Sequence, residues 1–295
     1  MSTYLWQTAR FTLDLASRPL VMGIVNVTPD SFSDGGRHSD EAAACLHAER
    51  LLAQGTDILD IGGESTRPGS RPPPVEIELA RVLPVVRHAV TLGVPVSVDT
   101  SRPEVIAEVL DAGADIINDV RALQYPGALA AAAAHPRAGL CLMHMQGEPA
   151  TMQVAPHYDD VLAQVAAFLA ERMAVAASAG IAAERIVLDP GYGFGKTLDH
   201  NLMLFRRQRE LTALGRPLLA GWSRKGTLGQ VTGRPAGERM VPSVAAALAA
   251  VAMGARVVRV HDVADTVDAL KVWNAAGLGD APGRDNNETQ RRTDP

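Results

Sequence analysis

The chain has 295 residues, and 47% of them are hydrophobic, enough for a large buried core. A net charge of −5 leaves no basic surplus to neutralise phosphates, which argues against nucleic acid as a main partner. No apolar run approaches the ~20 residues of a bilayer span, and the N-terminus lacks the basic start and apolar stretch of a secretion signal. The two cysteines, Cys45 and Cys141, match no metal or redox spacing, so the expectation is a cytoplasmic protein with reduced thiols and no membrane partner.

Residues 4–15 carry apolar groups without helical spacing and predict a short hairpin capping one end of the core. Strand-like and helix-like runs then alternate. The strands are expected at 21–28, 57–63, 95–100, 115–120, 139–145, 186–191, 217–223 and 256–261. The helices are expected at 40–54, 75–92, 103–111, 126–134, 158–179, 199–214, 243–252 and 263–276. Several begin at Asp, Ser or Pro, as helix starts prefer. Glycine follows several of them, at 55, 93, 113, 180, 215 and 277. Eight β-α units in order predict a (β/α)₈ TIM barrel, with a doubly wound open sheet as the alternative. Residues 1–278 would form this single domain, and the polar stretch 279–295 a disordered tail.

Catalysis in such barrels sits at the C-terminal ends of the strands. Those ends read Asn26, then Glu64-Ser65-Thr66-Arg67, Asp99, Asn118-Asp119, His144, Asp189, Ser223-Arg224-Lys225, Arg259 and His261. Any one of these could be satisfied by nearby backbone, but a full ring is hard to explain as structure alone. Asp99, Asn118 and Asp189 offer acceptors and an amide, which suits a flat heterocycle with several N–H groups and a carbonyl. Arg67, Lys225 and Arg259 offer donors for a carbonyl and for anions, and His261 can join them. His144 reads as a core or supporting histidine. Two long hydroxyl-rich loops, 28–40 and 65–74, follow the first two strands and suit lids or anion-binding segments. No His/Cys/carboxylate cluster has zinc spacing, whereas a Mg²⁺ shared with substrate phosphates needs few protein ligands.

The run LDPGYGFGKT, residues 188–197, nearly matches a P-loop. Pro190 stands where the first glycine should be and has no N–H to donate, so a nucleotide loop is disfavoured. A merely flexible turn is the other reading.

The segments GIVNVTPDSFSDGG, DIGGESTRPG, SVDTSRPEVI, IINDV, CLMHMQG, LDPGYGFGK, SRK and RVHD occur together and in order between residues 19 and 276. The chain thereby closely resembles the bacterial dihydropteroate synthases, the sulfonamide targets of folate synthesis. The resemblance implies a (β/α)₈ barrel, a homodimer, and a Mg²⁺-dependent transferase. Its reaction would join 6-hydroxymethyl-7,8-dihydropterin pyrophosphate to 4-aminobenzoate by dissociative substitution. It implies that Asp99, Asn118, Asp189 and Lys225 hold the pterin and that Asn26 binds Mg²⁺. It places Arg67, Arg259 and His261 around pyrophosphate, and Phe32, Thr66, Pro68, Phe194 and Ser223 around aminobenzoate. Asp99, Asp189, Lys225 and Arg259 would carry the catalysis. One departure is Gly226, where many relatives have Ser or Thr. The alternatives are a reduced-folate methyltransferase of the same fold, which would not need both long loops, and a catalytically silent paralogue, which should have lost Asn26, Arg67, Lys225 or Arg259.

Overall fold

Eight short strands, each followed by helix, close on themselves in chain order in the computed structural model, which describes residues 4–28, 37–67 and 69–278. Phe32, Pro68 and the expected tail 279–295 lie outside the described residues. Two strands precede the barrel, β1 (Leu5–Gln7) and β2 (Thr12–Asp14), paired antiparallel as the expected hairpin. The barrel strands are β3 (Leu20–Asn26), β4 (Ile58–Gly62), β5 (Val96–Asp99), β6 (Ile116–Asp119), β7 (Gly139–Met143), β8 (Ile186–Asp189), β9 (Leu218–Ala220) and β10 (Ala255–Val260). Neighbours pair in parallel, and β10 pairs with β3 to close the ring, which excludes the open sheet.

The helices are α1 (Arg37–Ala53), α2 (Val75–Val90), α3 (Pro103–Asp111), α4 (Ala128–Ala134), α5 (Val161–Ser178), α6 (Leu198–Arg206), α7 (Gly226–Thr232), α8 (Met240–Ala252) and α9 (Val263–Ala275). Asp160 caps α5 by accepting from the Leu162 and Ala163 amides, and Thr197 with His200 forms a capping box at α6. Four expectations change. The last strand turn before His144 is lost, so His144 follows β7 rather than lying in it. Helix α1 begins at Arg37, which takes 37–40 out of the first loop. The run 199–214 divides into α6 and a 3₁₀ segment, Gln208–Leu214. A short helix, α7, stands between β9 and α8.

The strands have two buried faces, which accounts for their unbroken apolar character. One face packs against the helices through residues such as Val25, Ile61, Val98, Ile117, Leu142 and Leu188. The other lines the barrel. Near its N-terminal mouth the lining is Leu20, Met22, Ile58, Ile116, Cys141, Val187, Leu219 and Val257, and Trp6 and Leu15 of the hairpin plug it. Trp6 is fully buried and donates from its indole N–H to the Arg185 carbonyl at 2.9 Å. Helix α5 is 18 residues long and apolar enough to cross a membrane by length and composition. Here its Val161, Val165, Leu169 and Ala176 pack on the barrel, and Arg172 bonds the Ala122 carbonyl at 2.9 Å.

Candidate active site

Side chains in a strand alternate between faces, so the residues two places beyond the apolar lining face the same interior. That rule takes Ile58 to Asp60, Ile116 to Asn118, Val187 to Asp189 and Val257 to Arg259, and two such steps take Met22 to Asn26. Register adds Asp99, since it pairs with Gly62 on one side and Asn118 on the other. The lower barrel is therefore apolar, and the upper barrel is acidic, amidic and cationic.

Three of the expected residues form one network, joined by one that was not expected. Arg259 Nε donates to Asp60 Oδ2 at 2.6 Å, and Arg259 Nη2 to Asp99 Oδ2 at 3.0 Å. Asn118 Nδ2 approaches Asp60 Oδ2 at 3.3 Å. Asp60 is fully buried. It hides in the middle of the run ILDIG, and only the alternation of inward positions along that strand could have exposed it. Burial, reinforced by Asp60, Glu64 and Asp119, pushes the Asp99 carboxyl up to about 7 against the pull of Arg259. Burial also raises Asp189, which accepts from the Gly191 amide at 2.7 Å.

Lys225, in the loop between β9 and α7, acts electrostatically on Asp189. Its ammonium reaches the Tyr192 carbonyl and lies 4.6 Å from the centre of the Phe194 ring. Burial lowers it to about 8, with Asp189 and Asp99 opposing that shift. Ser223 Oγ lies 2.9 Å from His261 Nδ1. Burial, with Arg259 and Arg224, depresses His261 to about 3, so its ring is neutral near pH 7. Thr66 is half-buried and Arg67 exposed in the loop after β4, and Arg67 also opposes charging of His261. That loop is fastened by the Gly69 amide donating to the Pro149 carbonyl at 3.0 Å and by Arg102 donating to the Pro73 carbonyl at 2.9 Å.

Other members of the sequence ring turn away from the site. Asp119 is one residue from Asn118 and so faces the helices, where Ser101 Oγ and the Arg121 and Leu123 amides satisfy it. Glu64 is buried with Arg121 3.6 Å away. Arg224 pairs with Asp262 at the surface. His144 packs edge-on to Phe168, and burial with Lys196 holds it down to about 2. The turn after β8 is neither a phosphate loop nor a slack one. A Cβ on Gly191 would stand 1.8 Å from the His144 carbonyl oxygen, and one on Gly195 2.3 Å from that of Gln146. Both have positive φ, so glycine is required twice over. At Gly226, which opens α7, a Cβ would meet nothing within 4 Å.

Asn26 Oδ1 lies 3.9 Å from the place a Cβ on Gly62 would take, and Asp99 Cβ lies 3.6 Å from it. The glycine thus stands between Asn26 and Asp99 with no side chain of its own. Among the described residues no group of three or more His, Cys, Asp or Glu could hold a metal ion. A cation held beside Asn26 would have to be a hard one that takes most of its oxygens from water and substrate.

A family model described as pterin binding enzyme matches residues 22–261. The chain belongs to that family. It is 54% identical over 284 residues to the dihydropteroate synthase of Neisseria meningitidis serogroup B, covering 94% of this chain and 99% of that one. The dihydropteroate synthase of Xanthomonas albilineans solved with 4-aminobenzoic acid is 51% identical, with a TM-score of 0.87 over 93% of this chain and 98% of that one. The same enzyme in complex with 7,8-dihydropteroate aligns with a TM-score of 0.84 at 49% identity, covering 92% of this chain and 98% of that chain.

Proposed function

We infer that the protein acts as a dihydropteroate synthase. It condenses 6-hydroxymethyl-7,8-dihydropterin pyrophosphate with 4-aminobenzoate, giving 7,8-dihydropteroate and pyrophosphate. The observation that carries the reading is the upper barrel interior, where Asp99, Asn118 and Asp189 converge with Arg259 and Lys225. Carboxylates and an amide there match a ring edge rich in N–H groups, and the two cations match its carbonyl and the phosphate side.

The bond from the pterin methylene carbon to the pyrophosphate oxygen breaks first, and positive charge spreads into the ring. Asp99 and Asp189, buried and preorganised, favour that charge, which is where such groups contribute most. Arg259 and Arg67 favour the departing anion, and the neutral His261 ring joins them as a hydrogen-bonding group. The aminobenzoate nitrogen is neutral at pH 7 and attacks the carbon without a strong base, losing its proton afterwards. Thr66, Phe194 and Ser223 are the described residues that would flank aminobenzoate, and the loop 65–74 would exclude water.

Mg²⁺ belongs to the same proposal, with Asn26 as its protein ligand. When bound it supplies positive charge to the pyrophosphate oxygens. Homodimerisation is supported by apolar residues left exposed on three adjoining helices, Met203 on α6, Val231 on α7 and Val241 on α8. A cytoplasmic setting is supported by two free thiols. The test is synthesis of 7,8-dihydropteroate, followed by mass, from the two substrates with and without Mg²⁺. Product that disappears on chelation supports the reading. Pterin binding without product contradicts it.

A further inference from the structure

Lys196 has no part in the chemistry above, yet its ammonium is buried beside the site. Four acceptors surround it, His144 Nδ1 at 2.9 Å, the Gly191 carbonyl at 2.9 Å, the Phe194 carbonyl at 3.1 Å and the His144 carbonyl at 3.4 Å. Two belong to the segment after β7 and two to the turn after β8. Burial lowers the pKa of this amine well below the ordinary lysine value, and with three protons at most it is saturated by these acceptors, with none left for a phosphate. The His144 ring is neutral, and against an amine donor its Nδ1 accepts in the tautomer that carries the ring proton on Nε2.

The rest of the turn is held in the same way. The Tyr192 carbonyl accepts from Lys225, that of Gly193 from Gln153 Nε2 at 2.8 Å, and that of Gly195 from the Tyr158 hydroxyl at 2.8 Å. The Lys196 carbonyl accepts from Asn201 Nδ2 at 3.2 Å. Every carbonyl from Gly191 to Lys196 thus receives a side-chain hydrogen bond. Of these donors only Lys196 is itself in the turn, and among the described residues it alone holds the Phe194 carbonyl. The Phe194 ring in turn lies against Lys225.

We propose that Lys196 is a positioning residue for the aminobenzoate side of the site, fixing Phe194 by pinning the turn after β8 to the segment after β7. The proposal rests on the reading of Phe194 as an aminobenzoate wall. The pterin side depends on it less: Lys225 and Asp189 touch the turn through Tyr192 and Gly191, but Asp99, Asn118 and Asp189 are set by three different strands.

The experiment compares KM for each substrate in the wild type, Lys196→Met, Phe194→Leu and the double variant. Lys196→Met should raise KM for aminobenzoate roughly tenfold and that for the pterin pyrophosphate less than about threefold. The double variant should fall short of the product of the single effects, as expected of groups acting through one contact. A fluorescence change from Trp222, stacked 4.3 Å from Tyr192 in the same turn, should accompany the KM shift without substrate present. Equal rises in both KM values, or a multiplicative double variant, would overturn the proposal. If Lys196→Met does not fold, Tyr158→Phe removes the bond to Gly195 without opening a cavity. It should raise the same KM about twofold, and an unchanged value would overturn the proposal. A wild-type protein that makes no dihydropteroate sinks the functional reading instead, whereas an active wild type with no KM split in the variants sinks only this inference.

Discussion

The two ends of the barrel interior are built on the same alternation and do opposite things. At the N-terminal mouth, the inward residues are aliphatic and the hairpin closes over them with Trp6 and Leu15. Polar groups there are spent on tying the hairpin down, Arg256 Nε to the Leu15 carbonyl at 2.6 Å and Arg216 Nη2 to that of Leu5 at 3.0 Å. Further up the strands, at the next inward positions, stand Asp60, Asn118, Asp189 and Arg259, with Asn26 one more step along β3. They are buried or half-buried at a cost, and that cost shows in Asp99 and Asp189 being pushed up and Lys225 down. One end supplies stability, and the other holds charge in a poorly hydrated place where a charged ligand can use it.

Substitutions at the two ends should therefore separate stability from activity. Trp6→Ala leaves a large void at the closed mouth and should cost about 3–5 kcal/mol of unfolding free energy in a denaturant titration, with both KM values unchanged in the folded protein. Asp60→Ala lies at the boundary and should show both effects. Chemical denaturation should find about 3 kcal/mol lost as Arg259 forfeits a buried partner, and calorimetry should find weaker pterin binding as Asn118 and Arg259 lose their shared anchor. The open end should also impose a pH dependence. Asp99 gains its charge as pH rises through about 7, and Lys225 loses its charge as pH rises through about 8. A profile of kcat/KM should accordingly peak between these values and fall about tenfold per pH unit on each limb. The smallest effect is expected at Gly226→Ser, where open space receives the side chain. Its kcat/KM should stay within about threefold of the wild type, and a larger loss would give the glycine a role.

Much of this was legible in the sequence because strand periods and strand ends are local signals. Glycine at 55, 93, 113, 180, 215 and 277 marked helix ends, and all six have positive φ. Asp99, Asn118, Asp189 and Arg259 were found because each stands at the end of a strand, and Lys225 because it follows one in the loop before α7. What escaped depended on which way a residue points. Asp60 was overlooked inside an apolar run, and Asp119 was included although it faces the helices. Lys196 read as part of a failed phosphate loop because its partners on the segment after β7 are about fifty positions away in sequence. The family resemblance rested on long motifs spread over most of the chain, and the family model matches the same stretch, residues 22–261.

The central claim, that buried negative charge at the open end drives loss of pyrophosphate, is tested most directly by single-turnover pyrophosphate release in the wild type and Asp99→Asn, with thermal unfolding of the same samples. The account predicts release slowed by about 10²–10³ at an unchanged melting temperature. Near-normal release by a stably folded Asp99→Asn protein would contradict it.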